Sequence, residues 1–192
     1  MIFSCINENE KTLLKNLIGK ELKYIKSEET DSWNRIFGNL SIVADNSEIE
    51  IRNELTPTDY FGDIEDVSKF KIFKITKEHP FELMVKSQIV ETNVQEKIAD
   101  ILIIQDEISV KEANGNKVYE ITMDTAIVIK TEKSSFVISR EWSLEEELIF
   151  SKTANYAASV YSVKDIIEEW SDEDARTVAS CKRSEISLKN IE

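Results

Sequence analysis

The chain has 192 residues, 41% of them hydrophobic and 32% charged, with 37 Asp and Glu against 24 Lys and Arg for a net charge of -13. That hydrophobic content suffices for a folded core, so the excess acid does not signal disorder; the longest uncharged apolar run, residues 101–104, is far too short to span a bilayer as a helix. A field of this sign repels phosphate backbones and anionic lipid surfaces and draws in cations, so no nucleic acid and no membrane is expected among the partners.

With 26 Ile and 12 Val against 11 Leu and 9 Ala, the apolar residues favour pleated strands over helices. Only 4 Gly and 2 Pro interrupt the chain, and no Pro-, Gly- or Ser-rich linker divides it, so residues 1–192 read as a single globular domain. The amino terminus lacks the basic and long apolar segments of a secretory leader. Cys5 and Cys181 share no metal-ligand spacing and read as separate thiols of a reducing compartment. Both features point to a cytoplasmic protein.

The first element is a helix whose apolar face is Leu13, Leu14, Leu17 and Ile18, with Gly19 placed to end it in a left-handed cap. The period then falls to two. Leu22 and Tyr24 open a strand, and Leu40, Ile42 and Ala44 alternate up to Asp45-Asn46-Ser47, after which Ile49 and Ile51 alternate again as the return of a hairpin. Phe70, Ile72 and Ile75 mark another strand, and Phe81, Leu83 and Val85 a further one beyond Pro80. Ile108 and Val110 lead into Asn114-Gly115, a strong turn dipeptide, and residues 118–129 return. A second turn at residues 131–135 precedes Phe136, Ile138, Arg140 and Trp142 on one strand face, and Leu148 and Phe150 extend the sheet.

Near the carboxyl end, Ser162 can cap a helix that carries Val163, Ile166, Ile167 and Trp170 on one face. Residues 176–192 fit either a helical extension or an edge strand. The expected class is therefore α+β: a predominantly antiparallel meander, open or partly closed into a barrel, with an amino-terminal and a carboxyl-terminal helix packed on it.

Motif chemistry is sparse. The lone His79 precedes Pro80 and has no second His or nearby Cys, so zinc ligation and a Cys-His pair lack their parts. No nucleotide-binding, nucleophile-elbow or metalloprotease string occurs, and four scattered glycines build no phosphate cradle. No cofactor and no metal is implied. A carboxylate hydrolase needs only two acids across a cleft, and Glu145, Glu146 and Glu147 are its numerical candidates.

One stretch stands out. Residues 45–66 hold eight acids, Asp45, Glu48, Glu50, Glu54, Asp59, Asp63, Glu65 and Asp66, against Arg52 alone. Within it, residues 56–66 read as a turn-rich connection that sets Tyr60 and Phe61 among acids. Aromatic anchors ringed by complementary charge are a common way to build an interface, so Asp59, Tyr60, Phe61, Asp63, Glu65 and Asp66 are the candidate partner-binding residues, and a basic protein is the expected partner. The order of acids and Gly62 does not fit an EF-hand loop. A small, acidic, motif-free chain of this kind is similar in profile to bacterial immunity or inhibitor proteins, which neutralise a basic toxin by charge complementarity. The leading expectation is a non-enzymatic protein-binding module. The alternatives are a small-molecule or lipid-binding antiparallel barrel, lined by Phe70, Phe73, Phe136 and Trp142, and the carboxylate hydrolase.

Overall fold

The computed structural model of the chain describes residues 1–60, 62–140, 145–171 and 176–190. It is mostly antiparallel sheet with two helices. The chain order is β1 (Ile2–Ser4), α1 (Glu8–Lys15), β2 (Glu21–Ser27), β3 (Arg35–Phe37), β4 (Asn39–Ala44), β5 (Ser47–Tyr60), β6 (Asp63–Lys74), β7 (Val90–Glu112), β8 (Lys117–Thr131), β9 (Ser135–Arg140), β10 (Glu147–Thr153), α2 (Val163–Trp170) and β11 (Thr177–Ser187).

Instead of one meander there are two, β4-β5-β6 and β7-β8-β9-β10, joined through β2 in the order β3-β10-β9-β8-β7-β2-β4-β5-β6. The long β7 serves both limbs: residues 90–97 pair with β2, and residues 98–111 with β8. β11 lies antiparallel on β7, which resolves residues 177–187 as strand, and β1 lies parallel on β8. The sheet is open, its path running from β3 at one end to β6 at the other. One buried cluster takes Phe70 and Ile51 from one limb and Phe136 and Ile127 from the other, so the limbs face each other across a common core.

Gly38 makes the corner between them. It separates β3 at one end of the strand path from β4 in the other limb, with φ +79°, a backbone that L side chains avoid. Its N–H donates to Glu146 O at 3.2 Å and its carbonyl accepts Asn53 N–H at 2.7 Å, so one residue is bonded to both flanks. A Cβ there would sit 2.6 Å from Met84 Sδ.

Three expectations need correction. Residues 56–66 are not a turn-rich connection: β5 and β6 pair without interruption from Ile49↔Lys74 to Tyr60↔Asp63, and Pro57 sits on the far edge of β5, which no described strand pairs beyond Arg52, so its missing N–H breaks no ladder bond among the described residues. Phe81, Leu83 and Val85 form no strand. The Asn39 side chain holds that loop instead, donating to Glu82 O at 2.8 Å and accepting Met84 N–H at 3.1 Å. The first helix stops at Lys15, capped by Asn16, because Leu17 and Ile18 take tighter bonds to Leu14 O and Lys15 O; Gly19, at φ +87°, belongs to the approach to β2. Leu14 and Leu17 are nevertheless buried in the core. At the second helix, Ser162 Oγ accepts Asp165 N–H at 3.1 Å, and Ile166 enters a satellite cluster with Ile108 and Ile121. Trp142 lies outside the described residues.

Candidate functional site

The β5–β6 hairpin continues beyond the sheet. β4 pairs with β5 only as far as Arg52, and from residue 54 to residue 66 no described side chain of either strand is buried. The result is a two-stranded arm, the kind of element that needs support from elsewhere in the fold.

Within the acidic stretch, pairing divides the charges. Glu48 accepts Lys26 Nζ at 2.9 Å. Glu50, 2% exposed, takes Arg52 through two bonds of 2.6 and 3.1 Å and Asn39 Nδ2 at 2.5 Å, and Arg52 reaches Glu54 at 3.4 Å. These carboxylates hold Arg52 above the ordinary guanidinium pKa through the Glu50 hydrogen bond, against the opposing effect of its own burial. β6 also brings Lys69 opposite Glu54 and Lys71 opposite Arg52. The base of the arm is therefore close to neutral.

The tip is different. Asp59, Asp63, Glu65 and Asp66 are exposed and make no ion pair with any described residue; Asp59 only receives Gly62 N–H at 2.8 Å. Side chains alternate along a strand, and cross-strand partners share a face. Asp63 and Glu65 thus lie on one face with Thr58, while Asp59 and Asp66 lie on the other with Ile64 and Pro57. Ile64, 72% exposed, is the described apolar residue of the tip. Sequence reasoning passed over it in favour of Tyr60 and Phe61. Phe61 and the Tyr60 side chain lie outside the described residues. The available signal was alternation: Ile64 shares parity with Asp66 and opposes Asp59.

A second polar region is buried where the outer edge of β6 meets β1 and β9. Arg140 is 2% exposed, on the inward face it shares with Phe136 and Ile138. Its Nη1 donates to Ser4 Oγ at 2.8 Å and to Ser68 O, and its guanidinium lies 5.3 Å from the Phe70 ring centroid. Burial pushes the Arg140 pKa down to about 10, opposed by the charge of Asp124, so the group stays cationic at neutral pH. Asp124 in turn accepts Ile6 N–H at 2.7 Å and Gln105 Nε2 at 2.9 Å.

No protein-family model, curated protein or solved structure matches this chain. Function therefore rests on the geometry.

For carboxylate catalysis, each buried acid among the described residues already has a structural partner. Glu10 receives Asn7 N–H at 2.6 Å, Asp106 receives Arg183 at 2.8 and 2.7 Å, Glu50 binds Arg52, and Asp124 is held as above. Glu145 is exposed, and its main-chain carbonyl, with that of Glu147, serves as acceptor for Asn53 Nδ2. Among the described residues no group of three or more His, Cys, Asp or Glu could hold a metal ion. The aromatics named for a barrel cavity do not converge: Phe70 and Phe136 are core residues, Phe136 stacking on Phe150 at 6.4 Å, while Phe73 is exposed under Arg52. A cleft of about 680 Å³ lies between the Lys26–Glu48 pair and Phe81, open to solvent.

The two thiols are free. Burial, then the Asp124 charge, raises Cys5 to about 11, and burial, then the Asp106 charge, raises Cys181 to about 12. The thiolate is the reactive form. At pH 8 iodoacetamide is therefore expected to alkylate folded Cys5 about a hundredfold more slowly than the urea-unfolded chain. Mass-spectrometric time courses check this, and equal rates would contradict the burial of the thiol.

Proposed function

We propose that this protein is a non-enzymatic binding module, of the immunity or inhibitor type, that engages a basic protein partner through the tip of the β5–β6 arm. One observation carries the reading: Glu48, Glu50 and Glu54 are matched by bases within the fold, whereas the four acids that project farthest, Asp59, Asp63, Glu65 and Asp66, are left exposed and unmatched among the described residues. Unmatched like charges on a protruding element repel one another at no benefit to the fold, and a cationic surface relieves that repulsion. The same charges steer encounter, an effect that falls with ionic strength because the screening length is about 8 Å at physiological salt.

Changing Asp59, Asp63, Glu65 and Asp66 together to Lys is expected to slow association with the partner at least tenfold, roughly the lower end of electrostatic steering, and to shift stability by no more than about 2 kcal/mol, about 0.5 kcal/mol for each surface position, with the Asp59 bond to Gly62 N–H among the losses. Affinity capture from the source cell with identification of the bound protein, at low and high salt, supplies the partner, and surface plasmon resonance supplies the rates. A partner that is not basic, or one that binds the reversed variant equally fast, would refute the proposal.

A further inference from the structure

The arm has two long edges, and the fold closes most of their length. In an antiparallel pair the N–H and C=O groups of alternate residues point toward the partner strand and away from it. On β5 the odd-numbered residues point away, as the Asn53 N–H to Gly38 O bond shows. Leu55, Pro57 and Asp59 continue that series, and Pro57 has no N–H to offer an added strand. On β6 the even-numbered residues point away. Ser68 O is taken by Ser4 Oγ at 2.6 Å and by Arg140, and Ile72 N–H by Glu10 Oε1 at 3.4 Å. Arg140 and Glu10 are themselves buried, so the inner part of this edge is sealed by side chains packed for that role.

Beyond Ser68 the outward-pointing groups are those of Ile64 and Asp66. Both residues are exposed, and no described group bonds to their main chains. Along this stretch the edge of β6 carries neither a proline nor a capping side chain from any described residue. Asp63 and Glu65 flank it on one face, and Asp59, Ile64 and Asp66 on the other.

We infer that the outer edge of β6 at Ile64 and Asp66 receives an extended, lysine- or arginine-bearing segment of the partner as an added strand. Main-chain bonds to these two residues supply affinity, and the alternating acids select basic side chains on both faces of the incoming segment. A second copy of this chain is a poor occupant, because edge-to-edge pairing would set the same acids opposite each other, and like charges directly opposite destabilise a strand pair. The inference rests on the proposed binding of a basic partner at this arm and adds how that partner is held.

The test uses the full chain and a synthetic heptapeptide, Lys-Lys-Val-Lys-Lys-Val-Lys, which carries lysines on both faces when extended, with a second peptide of the same sequence N-methylated at every residue so that neither edge can donate a main-chain hydrogen bond. Ile64→Pro removes the outward N–H but keeps all four acids and every β5–β6 bond. The expected results are slowed amide exchange at Ile64 and Asp66 in the presence of the unmodified peptide, and binding roughly tenfold weaker for Ile64→Pro or for the methylated peptide, as the loss of main-chain bonds requires. The methylated peptide leaves the protein untouched, so its result holds even where Ile64→Pro unfolds the arm. Equal binding of both peptides, with binding lost only on charge reversal, would overturn the added strand and leave the basic-partner reading standing. Equal binding by the charge-reversed variant as well would overturn both. An unprotected Ile64 amide at about 1 mM peptide, or a dimer of the chain that Ile64→Pro dissolves, also overturns the stated occupant.

Discussion

Replacing Arg183 with Met is expected to cost about 3–5 kcal/mol, the usual consequence of leaving a buried charge without its partner. Asp106 on β7 is 0% exposed, and Arg183, directly opposite on β11, grips it through Nε and Nη2 at 2.8 and 2.7 Å while Thr125 Oγ1 adds a third bond at 2.5 Å. Burial works against the charge on Arg183, and the Asp106 carboxylate more than offsets it, so the guanidinium pKa stands above its ordinary value. Without the arginine, the carboxylate, itself 0% exposed, keeps the Thr125 hydroxyl as a donor but loses its cation. Domains are stable by only about 5–15 kcal/mol, so β11 should open first and the whole fold should become marginal. Asp106→Asn combined with Arg183→Met removes both charges and should recover much of the loss. Urea denaturation of wild type, single and double variants measures this directly. A double variant no more stable than Arg183→Met would show that the cost comes from lost packing and not from the stranded charge.

Phe70→Ala should cost a similar amount, about 3–5 kcal/mol, by opening a cavity where the two limbs meet. Phe70 is wholly buried, and its ring also faces the Arg140 guanidinium, whose Nε and Nη2 have no hydrogen-bond partner among the described residues. For those two groups the negative face of the ring, 5.3 Å from the guanidinium carbon, offers compensation worth about 2 kcal/mol for a desolvated cation. Phe70→Leu restores most of the volume but not the π face. It should therefore fall between wild type and alanine, and its loss should shrink when Arg140 is replaced by Met. A double-mutant cycle by chemical denaturation reads that coupling. Independent, additive effects of the two positions would mean that the ring acts by volume alone.

Arg140 also shows why the candidate site was only partly legible. Its parity with Phe136 and Ile138 set it on the inward face in the sequence, yet nothing local says what an inward arginine bonds to. The answer lies 72 residues away at Ser68 and 136 residues away at Ser4. The acidic stretch behaves the same way. Counting residues gathers Glu50 and Asp63 into one negative run, but the strands bring Arg52 and Asn39 onto the first and leave the second exposed. The turn-rich reading of residues 56–66 failed because Pro57 and Gly62 are punctuation only when their N–H groups or φ angles interrupt a ladder. Here Pro57 faces an edge that no described strand pairs, and Gly62, at φ +106°, follows the last paired residue of β5.

Alternating Ile and Val, the Asp45-Asn46 and Asn114-Gly115 turns and the Ser162 cap were enough to establish the hairpins, the carboxyl-terminal helix and a largely antiparallel sheet, because alternation and capping are properties of neighbours along the chain. Which limb a strand joins, which acids are neutralised and which edge stays open were decided only when β2 came between β7 and β4, and when β6 docked against Ser4, Glu10 and Arg140. Those outcomes depend on burial and hydrogen bonding between distant segments, and neither composition nor period carries a record of who the distant partner is.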